Sequence, residues 1–135
     1  MTLIDINVLL DVLIGNPVWA AWSVRQLEIA AVAGPLLIND IVYAELAVGY
    51  ADIGKLDDAV RTMGLRRDPL PKPALFLAAK AFQQYRKQVG TRTGVLPDFF
   101  IGAHAAVTGI PLLTRDVKRY RGYFPPVRVI DLDAG

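Results

Sequence analysis

The sequence predicts an α/β domain in which a mostly parallel sheet of four or five strands is sandwiched between helices. Three observations carry that expectation. Brief, continuous apolar runs recur along the chain, the mark of strands covered on both faces. Longer segments between them place apolar residues at helical spacing. Gly and Pro stand at most of the junctions. At 135 residues the chain fits one domain, 1–135, with a real core and no internal repeat, linker or low-complexity segment.

The elements follow in order. Leu3 to Asp5 is the first strand, and Asn7 is placed to cap a short helix through Leu13 that Gly15, Asn16 and Pro17 end. Val18 to Ala33 reads as a helix, with Trp19, Trp22, Leu27 and Ala30 among its apolar positions, stopped by Gly34-Pro35. Leu36 to Ile38 is the second strand. Asn39 or Asp40 caps a helix over Ile41 to Ala51, on which Glu45 lies on the apolar stripe beside Ile41, Val42 and Gly49. Lys55 to Met63 is a further helix and Leu65 to Arg67 a short edge strand. Pro73 to Val89 is the longest helix, and Gly90 and Gly94 open a loop that carries Arg92. The next helix begins at Pro97 with Asp98 in its first turn, where the helix dipole alone favours an anion. Ile101, Gly102 and Ala105 on its face are expected to bring it close to the sheet and draw Asp98 inward. Ile110 to Thr114 and Val127 to Ile130 are the last strands.

Composition narrows the function. Hydrophobic residues make up 53% of the chain, which hints at a buried partner surface. The longest uncharged stretch, Phe99 to Thr114, is broken by Gly109 and Pro111 and is too short to span a bilayer. No basic segment or cleavage site follows Met1, so a cytoplasmic protein without membrane association is expected. The lack of Cys excludes disulfides, thiolate metal sites and cysteine nucleophiles, and a single His, His104, excludes His-rich metal sites. Charge is uneven: residues 1–60 hold two basic groups against eight acidic (−6), whereas residues 61–128 hold thirteen against three (+10). That is the distribution of a protein facing a polyanion.

Four carboxylates come from two strand ends, Asp5 and Asp116, and two inward helix faces, Glu45 and Asp98, and of these Asp5 and Glu45 fall where burial is expected. In an open parallel sheet the crevice at the carboxyl ends of the strands is where ligands sit. Two unit charges about 4 Å apart repel by about 4 kcal/mol at an effective dielectric of about 20, so a converging cluster needs protons or a cation. Oxygen-only ligands select Mg²⁺ or Mn²⁺, ions that activate water for phosphodiester hydrolysis. Asn7 and Thr114 are candidates to hold the carboxylates from behind. Arg115, Lys118, Arg119 and Arg121 flank Asp116, and Arg86, Lys87 and Arg92 precede Asp98; Arg86, Arg92, Arg115, Lys118 and Arg119 are the candidates for contacts to the phosphates of a polyanion. Of Tyr120, Tyr123 and Phe124, two are expected to pack in the core or rim. His104 reads as structural, Asp11, on the same helix face as Asn7, as an exposed helix carboxylate with a place behind the acidic site as the alternative, and Asp40, Asp52, Asp57 and Asp58 as caps or wet-face charges.

The segments LIDINVLLDVL, VYAEL, LPDFFIGAHA and LLTRD, in that order and spacing, resemble the PIN-domain ribonucleases, most closely the VapC-type toxins of type II toxin–antitoxin pairs. The resemblance spans nearly the whole chain. It implies a PIN-like three-layer α/β/α sandwich and a Mg²⁺- or Mn²⁺-dependent endoribonuclease whose acidic site is Asp5, Glu45, Asp98 and Asp116, with Asn7 as the polar residue after the first Asp. It further implies a homodimer, and inhibition by a cognate antitoxin within a larger hetero-oligomer. Two other readings stay open. One is a non-catalytic RNA-binding or scaffold domain whose carboxylates hold a structural ion. The other is a haloacid-dehalogenase-type phosphotransferase, against which stands Asn7 in place of the second Asp that such a site uses as general acid.

Overall fold

A computed structural model of the chain describes residues 1–88 and 96–130. Its elements are β1 (Thr2–Ile4), α1 (Ile6–Ile14), α2 (Ala20–Ala33), β2 (Leu36–Ile38), α3 (Asp40–Ala47), α4 (Ile53–Thr62), β3 (Leu65–Arg67), α5 (Lys72–Gln88), α6 (Leu96–Thr108), β4 (Leu112–Leu113), α7 (Val117–Tyr123) and β5 (Val129–Ile130). The five strands form one sheet in the order β3-β2-β1-β4-β5, every pairing parallel. All residues of β1, β2 and β4 are buried, apolar throughout except for Thr2, while edge strand β3 buries Leu65 alone. No described helix is long and apolar enough to cross a membrane.

This strand order sets the place of the site. From β1 the chain moves outward to β2 and β3, then returns to β4 on the other side of β1. The crevice between the carboxyl ends of β1 and β4 is therefore the point where the winding reverses, and ligands of open α/β sheets bind there. Asp5 follows β1 directly and Thr114 to Asp116 follow β4. The two ends are clamped together, since Asp5 N donates to Leu113 O at 3.0 Å.

Several boundaries differ from the sequence expectation for identifiable reasons. Asp5, not Asn7, caps α1: its backbone is extended and its Oδ1 accepts from Ile6 N at 2.8 Å. Helix α2 starts at Ala20 because Asn16 Oδ1 accepts from both Val18 N and Trp19 N, holding residues 17–19 in a turn. Helix α3 ends at Ala47 rather than Ala51, where Gly49 N and Tyr50 N bond three residues back and tighten the chain out of the helix. The expected strands over 110–114 and 127–130 shrink to two residues each. Helix α7 is absent from the sequence expectation. Only Tyr120 of its seven residues is buried, so it offers no periodic apolar stripe to read.

Gly102 has the small-residue role expected of it, against a different surface. A Cβ at this position would overlap Cδ2 and Cε2 of Phe124 and lie 3.2 Å from Tyr120 Cδ1, so this face of α6 closes on α7 and the residue after it. Phe124 is itself buried, with Phe99 packed edge to face against its ring. Gly102→Ala is expected to lower stability by about 1–3 kcal/mol through overpacking, read as a fall in the thermal midpoint. An unchanged midpoint would mean that this helix contact is looser than described.

Candidate active site

Asp5 lies at the floor of the crevice, 2% exposed, with both carboxylate oxygens engaged. Oδ1 caps α1, and Oδ2 accepts from Thr114 Oγ1 at 2.7 Å. Thr114 Oγ1 in turn accepts from Asn7 Nδ2 at 3.3 Å and from Asp116 N at 3.0 Å. Asn7 Nδ2 also donates to Asp116 Oδ2 at 3.3 Å, and Asn7 Oδ1 accepts from Arg115 N at 3.3 Å. Asn7 and Thr114 thus link two carboxylates from opposite ends of the chain. Their amide and hydroxyl are confined to single orientations, because each donor has one acceptor geometry that satisfies the set.

Asp98, in the first turn of α6, faces the same crevice from above. Its Oδ2 accepts from Arg119 Nη1 at 2.7 Å, and Tyr120 Oη lies 3.5 Å from Oδ1. Arg119 also approaches Asp116 Oδ2 at 3.6 Å, so one guanidinium bridges two of the four carboxylates. Glu45 enters from α3, half-buried, and its Oε1 is buried with no hydrogen-bond partner among the described residues.

The carboxyls feel one another. Burial, with the neighbouring Asp98 charge, pushes Asp5 up to about 6, against the hydrogen bonds from Thr114 and Ile6. Burial, then the Asp5 and Asp98 charges, pushes Glu45 up to about 7. Asp98 is raised by burial in spite of Arg119. The Tyr120 phenol, fully buried, is pushed well above its ordinary value by burial and by Asp5 and Asp98, so it remains a donor aimed at the cluster.

These shifts carry a sign. Asp5 and Glu45 ionise near pH 4 in an unfolded chain but near 6 and 7 in the folded one, so between those limits the folded protein binds more protons. Stability of the ion-free protein is therefore expected to fall as pH rises from about 4 to about 7, by about 3 kcal/mol from Asp5 alone. The check is the thermal midpoint in chelator across that range. A midpoint that climbs through pH 5–7 would contradict the placement of Asp5.

Asp5, Glu45 and Asp98 are thus brought together, with Asp116 at the rim between Asn7 and Arg119. As the side chains stand, no three carboxylate or His groups among the described residues close on one point. The donors nonetheless fit a hard divalent cation. They are oxygens only, Arg119 is paired with Asp98 and Asp116, and Glu45 Oε1 lacks a partner among the described residues. Asp5, Glu45, Asp98 and Asp116 are the residues that would hold Mg²⁺ or Mn²⁺.

Of the expected phosphate contacts, Arg119 lies within the cluster itself. Arg115 is held by Asp11, and Lys118 is exposed beside Asp116. Arg86 is exposed over the Phe82 ring, and Arg92 lies outside the described residues. Asp11 corrects the sequence expectation: it is 1% exposed, accepts from Ser23 Oγ at 2.9 Å and from Arg115 Nη2 at 3.0 Å, and lies 2.7 Å from Arg115 Nε. The Nε contact is a close ion pair without hydrogen-bond alignment. His104 is structural as expected, fully buried with Nε2 2.8 Å from Asp68 Oδ2. Tyr120 and Phe124 are core residues, and Tyr123 stacks on Phe99 with ring centroids 4.4 Å apart. Tyr120 is the site residue that sequence reasoning missed. The signal available was a tyrosine four residues after Asp116, one helical turn away.

Fold and site together define a class: an open, all-parallel α/β domain with a carboxylate pocket at the reversal point of its sheet. The sequence model of the PIN domain matches residues 2–124, and the chain belongs to the PIN domain family. No curated protein matches it. Among solved structures it is similar to a chain of VapBC2 from Rickettsia felis bound to a DNA fragment from its promoter, at 17% identity and a TM-score of 0.72 over 98% of each chain. It is also similar to a chain of VapBC-1 from nontypeable Haemophilus influenzae, with 18% identity and a TM-score of 0.69 over 96% of each. A toxin–antitoxin complex from Klebsiella pneumoniae gives 22% identity and a TM-score of 0.65 over 97% of each. At such identities these likenesses establish the shared fold.

Proposed function

We propose that this chain is the toxin of a toxin–antitoxin pair, an endoribonuclease that hydrolyses RNA phosphodiester bonds with Mg²⁺ or Mn²⁺ held by Asp5, Glu45, Asp98 and Asp116. The observation that carries the proposal is the gathering of mutually repelling carboxylates, Asp5 buried and Glu45 half-buried, at the sheet's reversal point, with Glu45 Oε1 lacking a partner among the described residues. Membership in the PIN domain family supports it, as do the toxin–antitoxin complexes among its structural neighbours.

A bound divalent ion would supply Lewis acidity toward the phosphate and lower the pKa of the attacking water. The chain's own residues set the stage. Thr114 and the α1 terminus hold Asp5 in one rotamer, and Asn7 keeps Asp116 beside it. Glu45, protonated up to about pH 7, would release that proton as a cation fills the site, and the carboxylate left behind is the group able to accept one. The Tyr120 hydroxyl restrains Asp98 from below. Arg119 offsets charge on Asp98 and Asp116 and is placed to meet phosphate when those carboxylates turn to an ion.

Partner surfaces accord with the toxin role. Ile14, Val18, Ile29 and Val32 on and around α1 and α2 are strongly exposed, as are Val48, Ile53 and Phe76 elsewhere. Apolar exposure of this extent suits a homodimer and an antitoxin that covers part of it within a larger assembly in the cytoplasm.

The test is cleavage of RNA by the purified chain, stripped of ions and then supplied with Mg²⁺, Mn²⁺ or neither. Cutting only with an ion, and only when all four carboxylates are intact, supports the proposal. RNA retained but never cut would point to the binding or scaffold reading, and turnover of small phosphate esters to the phosphotransferase.

A further inference from the structure

A cavity of about 940 Å³ opens on the other side of Asp116. Trp19 and Trp22 line it from the start of α2, and Arg115, Lys118, Arg119 and Tyr123 line it from the segment after β4. Both indoles are half-buried, edge to face, with centroids 5.6 Å apart. The Arg115 guanidinium lies 5.1 Å over the Trp19 ring and is anchored from behind by buried Asp11. In the sequence both tryptophans read as ordinary apolar positions of a helix. Tertiary placement instead puts them beside the acidic cluster, with Asp116 and Arg119 shared between the two.

We propose that this cavity is a nucleotide subsite, in which Trp19 and Trp22 receive an unpaired base of single-stranded RNA flanking the scissile bond while Arg115 and Lys118 face its phosphate. The inference rests on the ribonuclease reading and gives it a substrate-binding surface. Its chemistry favours nucleic acid over a protein ligand. The lining joins flat aromatic surface to cations, with Asp116 the one acidic member, which is the combination that binds single strands without a hydrogen-bond code. The strongly exposed aliphatic side chains, such as Val18, Ile29 and Val32, which a protein partner would cover, are not part of it. Its volume is that of a small-ligand site. Arg115 is already immobilised by Asp11 and Trp19, so binding need not order it.

Trp19 and Trp22 are the only tryptophans in the chain, so indole emission reports on this cavity alone. The experiment titrates the full chain, in chelator so that nothing is cut, with an RNA tetranucleotide and separately with an acidic peptide, excited at the red edge of indole absorption. Saturable quenching by the RNA and none by the peptide is expected. Trp19→Leu, read through Trp22, should weaken RNA binding about tenfold or more. It should raise KM for cleavage in parallel, with kcat little changed. Should that variant fail to fold, Lys118→Ala at an exposed position is expected to weaken binding and flatten its salt dependence. A chain that cuts RNA while its emission ignores the tetranucleotide, or answers only the peptide, overturns the subsite and leaves the ribonuclease reading intact. Quenching by RNA in a chain that cuts nothing with any ion supports Trp19 and Trp22 as a base-binding site but defeats the ribonuclease reading, and with it the placement beside a scissile bond.

Discussion

Asp5→Asn is expected to cut ion-dependent RNA cleavage by roughly 10³-fold or more, since losing a ligand that positions a divalent ion removes several kcal/mol of transition-state stabilisation. The same change is expected to make the ion-free protein more stable at pH 8. There Asp5 is charged and 2% exposed, with its carboxyl pushed up to about 6, so its ionisation is a standing penalty on the fold. Asn keeps an acceptor for Ile6 N and loses the anionic partner of Thr114. The net gain should be about 1–2 kcal/mol, present above the folded pKa and gone near pH 4. Thermal and denaturant midpoints of both proteins in chelator at the two pH values check it. With saturating Mn²⁺ the order should reverse, because only the wild-type chain gains from binding. A variant that loses stability at pH 8 would show that Asp5 is a structural anchor and not a strained functional group.

The second large effect lies outside the carboxylate cluster. Asp11→Ala is expected to cost about 3–5 kcal/mol, because it leaves the partly buried Arg115 guanidinium and the buried Ser23 hydroxyl without their acceptor. For a chain of this length the thermal midpoint should fall by roughly 10–20 °C. Asp11 ties α1 to α2 through Ser23, and both to the segment after β4 through Arg115. Losing it therefore also loosens Asp116, and activity should drop with stability. Pairing Asp11→Ala with Arg115→Met removes the orphaned charge and should restore much of the stability but not RNA affinity. Equal midpoints for wild type and Asp11→Ala would refute this account of the pair.

The sheet was legible because its strands are unbroken apolar runs set off by Gly and Pro, a pattern that depends on local sequence alone. Asp5 and Asp116 were legible for the same reason, as each follows such a run. Glu45 and Asp98 needed only helical spacing. What resisted reading depends on distant residues meeting. Asp11 reads as a wet helix carboxylate until Arg115, 104 positions away, is seen against it. Tyr120 reads as packing until α7 lays its hydroxyl near Asp98. Helix α7 is too short and too charged to show a periodic face. Trp19 and Trp22 fit a helical stripe well enough that a cavity role is invisible in one dimension. The cap of α1 went to Asp5 rather than Asn7 because the β1–β4 clamp fixes where the strand stops, a constraint from another part of the chain.

Oxygens from the β1–α1 junction, α3, α6 and the turn after β4 are proposed to share one divalent ion. Anomalous diffraction from crystals soaked in Mn²⁺ above pH 7 tests this most directly. The account predicts a peak coordinated by Asp5 and Asp98, with Glu45 or Asp116 within reach and Arg119 swung away from Asp98. A peak bound elsewhere, or none beside Asp5 while the Asp98–Arg119 pair stays closed, would contradict it.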